Sequence, residues 1–69
     1  MTESLGTALV AEMARVRDKL LPEYIAIGPG GAPGAFMMRA ELDAAAKALA
    51  EGDIVAIIRS YEALKAWKE

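Results

Sequence analysis

Leu5, Leu9, Met13, Val16 and Leu20 stand four, four, three and four residues apart. At about 100° per residue this spacing gathers them into one narrow stripe on a helix. The polar Glu12, Arg15, Asp18 and Lys19 fall away from it, as a solvated face would. Thr2 and Ser4 are the candidate caps, because a hydroxyl there accepts from a free N–H of the first turn. Pro22 interrupts the pattern: it has no N–H, and inside a helix its ring clashes with the carbonyl four residues back. Tyr24 and Ile27 nevertheless continue the stripe. Either the helix runs from about residue 3 to 27 with a kink near 22, or it stops at Leu21 and Pro22 opens a short new turn. The continuing stripe favours the kink.

A second stripe, Met38, Leu42, Ala45 and Leu49, predicts a helix over 34–50. Alanine fills much of the rest of that segment, which favours helix and lets a neighbouring helix approach closely. At Glu51-Gly52-Asp53 the glycine is placed to end this helix in a left-handed conformation and the aspartate to cap the next. The third helix then covers 53–67, with Ile54, Ile57, Ile58, Tyr61 and Leu64 on its apolar side. Val55 widens that side to about half the circumference, more than two thin neighbours cover. The β-branched run from Ile54 to Ile58 also suits a buried strand. Leu64 and Trp67 extend the helical period, however, and no second strand is visible. The expected fold is all-α: one domain of three helices, the last two an antiparallel hairpin, completed by self-association.

Between the first two helices lies Gly28-Pro29-Gly30-Gly31-Ala32-Pro33-Gly34, a segment that resembles a phosphate loop only in glycine content. A Walker loop needs Lys and Ser or Thr after its last glycine, whereas Ala35 and Phe36 follow here. Pro29 and Pro33 remove two of the N–H donors, and the chain has no room for the strand–helix–strand unit of a dinucleotide site. The segment reads as a hinge loop over 28–34. Phe36, Met37 and Met38 follow in a row, and all three cannot face one core. Met38 belongs to the stripe, so Phe36 and Met37 project off it as an adaptable contact patch.

At 69 residues the chain is one domain with a thin core. It has no cysteine and no histidine, so disulfides, thiolate metal sites and the usual general base are absent. Glu41 and Asp43 sit two apart and point to different helix faces, so they are not an acid–base pair. Ser60 and Tyr61 have no histidine to activate them. No catalytic residue, metal or cofactor is therefore expected, and the chain is not read as an enzyme. No secretory signal or bilayer-length apolar run is visible, which points to a soluble, cytoplasmic protein without a membrane partner. The net charge is −2 with both signs mixed, and no basic stripe marks a nucleic-acid surface.

The stretches ARVRDKLLPEYIAIGPGG and AKALAEGDIVAIIRSYEALK together resemble a group of small uncharacterised proteins encoded in bacterial phages and prophages. That resemblance implies a phage-derived cytoplasmic protein and no particular activity. ALAEGDIVAIIRSYEAL is similar to the inner turn of a tetratricopeptide repeat, but Ile57 stands where that repeat has a small residue, and no second copy follows. A lone helix pair cannot bury its face, since such solenoids need about three repeats. Ala48 and Gly52 before Ile58 also echo a helix-turn-helix, yet the second helix opens with Ile54, Val55 and Ala56 rather than base-reading polar residues. The favoured reading is a helical protein–protein interaction module, a dimer by preference, with an unidentified protein partner. A nucleic-acid-binding helix-turn-helix-like regulator is the alternative. Phe36, Met37, Val55, Ile58, Tyr61 and Trp67 are the candidate interface residues.

Overall fold

The computed structural model describes residues 4–68, which form helices and turns with no strand among them. Helix α1 (Leu5–Arg15) runs through a π turn (Val16–Leu20) into α2 (Leu21–Ile27). A 3-10 turn (Pro29–Gly31) leads to α3 (Ala32–Glu51), and a tight turn leads to α4 (Ile54–Lys65). The fold is all-α, as the periodicity predicts.

The caps are the ones the sequence offers. Ser4 Oγ accepts from the Thr7 N–H at 3.0 Å, while Thr2 lies outside the described residues. Gly52 ends α3 at φ 66°, and Asp53 Oδ1 accepts from the Ala56 N–H at 3.2 Å. Only glycine takes the Gly52 conformation without steric cost.

Pro22 does not stop the first helix, which continues to Ile27. The turn before it widens, and the Leu21 N–H bonds the Val16 carbonyl five residues back. A π turn holds one residue more than an α turn, which rearranges the carbonyls the proline ring must pass. It also sets later positions back by most of one residue's ~100°. Leu21 and Tyr24 thereby turn toward the core, and Ile27, expected on the stripe, is 63% exposed.

The three rods pack with α3 antiparallel to both others. Arg15 near the end of α1 meets the end of α4, so α1 and α4 run parallel. Leu9, Val16, Leu20, Met38, Ala45, Ala48, Ile57 and Leu64 form the core. Helix α4 ends level with Arg15, so the α2–α3 hairpin continues past it as a two-helix end. The molecule is accordingly elongated, 39 × 24 × 16 Å.

The glycine segment is shorter and tighter than a hinge over 28–34. Helix α3 already begins at Ala32, with Pro33 in its first turn. An added Cβ on Gly31 would lie 2.0 Å from the Tyr24 carbonyl oxygen, and one on Gly34 would lie 2.5 Å from the Tyr24 ring. These glycines let α3 press against α2; they do not supply flexibility.

On α4 the expected core positions divide. Ile57 is buried at 6% exposure with Ser60 and Leu64, whereas Ile58 is 46% exposed and Ile54 is open as well. The apolar arc is wider than its two neighbours cover, and Ile54 and Ile58 lie on the part left open.

Candidate interaction surface

Among the described residues, two areas gather several exposed apolar side chains. The first lies on the two-helix end. Met38 is fully buried, so the residues just before it point outward: Phe36 is 73% exposed and Met37 52%. Phe36 stands at the edge of a groove of about 470 Å³ between α2 and α3, floored by Ile25, Pro29, Ala32 and Ala35 and edged by Arg39. The second area is the leading half of α4, where Ile54, Val55 and Ile58 lie exposed within about 100° of one another.

The other two candidate interface residues are engaged within the chain. Tyr61 is half-buried, with the Lys65 ammonium 5.5 Å from its ring centre. Trp67 is half-buried and ties all three rods at one point. Its Nε1–H donates to Glu41 Oε1 at 2.6 Å on α3. Its ring meets Tyr24 of α2 edge to face, with centroids 5.7 Å apart. Its carbonyl, and that of Leu64, accept from Arg15 Nη2 at 2.8 and 3.0 Å. Arg15 also pairs with Glu12 at 3.1 Å.

Arg15 and Glu12 are therefore not solvated surface charges, as the mixed-sign pattern suggested. The guanidinium gives the Trp67 carbonyl a donor beyond the end of α4 and adds to the bond that the Leu64 carbonyl already accepts from the Trp67 N–H at 3.2 Å. Sequence reasoning had no access to this, because the bonds span 49 and 52 residues. Arg17 and Asp18 form the expected exposed pair at 2.9 Å. The hydrogen bond from Arg17 holds the Asp18 carboxyl below its ordinary range.

Among the described residues no cluster of three or more metal-ligating side chains occurs, and no helix is long and apolar enough to cross a membrane. No protein-family model, curated protein or solved structure matches the chain.

Proposed function

We propose that this chain is a small helical interaction module that works by associating with other proteins, first of all a second copy of itself. The observation that carries this reading is Phe36, turned outward at the edge of a groove, with Met37 exposed next to it in the chain and Met38 fully buried. Scattered exposed apolar residues are ordinary on protein surfaces, but large ones gathered on a groove mark contact sites. The uncovered Ile54, Val55 and Ile58 give a second area of the same kind. A two-fold dimer is the simplest closed assembly that covers such surfaces. The phage and prophage resemblance supplies a biological context for such a module but no activity.

The helix-turn-helix alternative gains no support, because α4 opens with exposed Ile54 and Val55 on a chain of net charge −2. A mobility shift with DNA at low salt would favour it. The main test is the mass by light scattering at micromolar concentration. Twice the chain mass is expected, and a cooperatively melting monomer would overturn self-association.

A further inference from the structure

We infer that the outer face of α3 is the dimer seam and that it pairs antiparallel with the same face of a second copy, about a two-fold axis level with residue 41. This rests on the self-association proposed above and names the surface that does it.

The face is defined by spacing. Ala32, Phe36, Arg39, Asp43, Ala46 and Ala50 are all exposed and stand four, three, four, three and four residues apart. At 100° per residue they occupy a sector of about 80°, the alternating three-and-four rhythm of a helix–helix seam. The seam's centre lies about 110° around the helix from the stripe that α3 buries in its own core.

The six residues complement one another when the second helix runs the opposite way. They are placed symmetrically about residue 41, so each member faces another member. Arg39 meets Asp43 of the second copy, and Asp43 meets its Arg39. Phe36, the one large apolar residue of the six, meets Ala46, one of the smallest. Ala32 meets Ala50 and lets the backbones approach. A parallel pairing would instead set Arg39 on Arg39, Asp43 on Asp43 and Phe36 on Phe36. Like charges across an interface reject that arrangement.

Two further features fit. Among the described residues, neither Arg39 nor Asp43 has an ion-pair partner inside the chain. The first helix also comes close to the seat of the incoming Phe36: a Cβ on Gly6 of α1 would touch Leu49, three residues from Ala46, and Val10, one turn after Gly6, is exposed. The charge pair at the centre then sets register and direction, the use of buried polar pairs best established for paired helices.

Mixing separates this pairing from every effect inside one helix. Arg39→Asp places Asp against Asp43 of its copy, and Asp43→Arg places Arg against Arg39. Each variant alone is expected to dimerise at least about tenfold more weakly than the wild type by analytical ultracentrifugation. An equimolar mixture is expected to form a heterodimer of near wild-type affinity, in which both pairs are opposite in sign. Each variant should keep its helical circular dichroism, because both sites are exposed. Should either lose it, Ala32→Cys with Ala50→Cys tests the same register by oxidation in a chain with no cysteine of its own. Those positions lie about 27 Å apart along one helix, so a disulfide between them joins two copies.

A monomeric wild type overturns both the seam and the self-association behind it. Dimeric single variants, a mixture that stays monomeric, or a doubly substituted chain that fails to crosslink overturns the seam alone and leaves self-association to another face, such as Ile54, Val55 and Ile58.

Discussion

Gly34→Ala is predicted to destabilise a helix that alanine should favour. Alanine in place of a helical glycine is ordinarily worth up to about 1 kcal/mol, and position 34 lies in the first turn of α3, where less than the full gain applies. Against this, the new methyl carbon would fall 2.5 Å from two ring carbons of Tyr24. The ring is also held by Trp67, which meets it edge to face. Overpacking of a filled site costs about 1–3 kcal/mol, and a lost aromatic edge contact about 0.5–1.5 kcal/mol more. The clash wins, by a net of about 1–2 kcal/mol. At this chain length that lowers the melting temperature by roughly 4–15 °C, read by circular dichroism at 222 nm. Two companions rank the effect. Gly31→Ala meets a backbone oxygen, which cannot rotate aside, and should cost more. Gly30→Ala makes only an ordinary 3.6 Å contact with Ile27 and should be near neutral. In a Tyr24→Ala background, Gly34→Ala should become neutral or stabilising. If Gly34→Ala raised the melting temperature of the otherwise wild-type chain, the close approach of α2 and α3 at Tyr24 would be wrong.

Met38→Ala empties a fully buried site where α3 faces the first helix and should cost about 2–5 kcal/mol in urea denaturation; a loss under 1 kcal/mol would place Met38 outside the core. Ile58→Asp should leave the helical signal intact, because Ile58 is 46% exposed, and collapse of the fold would put it back in the core. Trp67→Phe keeps the ring against Tyr24 but removes the donor to Glu41, with an expected cost of about 1.5–3 kcal/mol for a bond to a charged acceptor. An unchanged unfolding midpoint would show that this bond contributes nothing. The depressed Asp18 carboxyl gives a small stabilisation that is present above the ordinary carboxylate range and lost as pH falls through its lowered value. Both partners are exposed, so Asp18→Asn should barely move the melting temperature at neutral pH, and a large shift would mean the pair is buried.

Local chemistry was legible in the sequence. Ser4, Gly52 and Asp53 act on their own neighbours, so residue type and position sufficed for the caps. The period found Leu9, Val16, Leu20, Met38 and Leu64, because a buried stripe repeats with the helix. Both signals failed where the partner is distant in the chain. Gly31 and Gly34 read as a hinge because Tyr24, the residue they make room for, lies on another helix. Arg15 reads as a surface charge because its partners lie at the far end of the chain, and the bond from Trp67 to Glu41 was out of reach for the same reason. Which of Ile54, Ile57 and Ile58 is buried needed the packing itself: period says which side of a helix is apolar, not how much of that side its neighbours reach. At the candidate surface, Phe36 and Met37 were legible by elimination, since three large apolar residues in a row cannot share one core. The symmetry of the α3 seam needed the burial of each position before it could be seen.

The π turn before Pro22 carries a consequence for insertions and deletions. Removing one residue between 16 and 20 would take out the extra residue that the wide turn accommodates and let the rod wind as an ordinary α-helix. Tyr24 and Ile27 would then keep their places around the rod, because the wide turn already sets them back by most of one residue. The proline would meet the turn behind it again, and that collision is the cost of the shortening. A same-length replacement that closes the turn would instead swing everything downstream to Ile27 by about 100° and carry Tyr24 out of the hollow cut for it by Gly31 and Gly34.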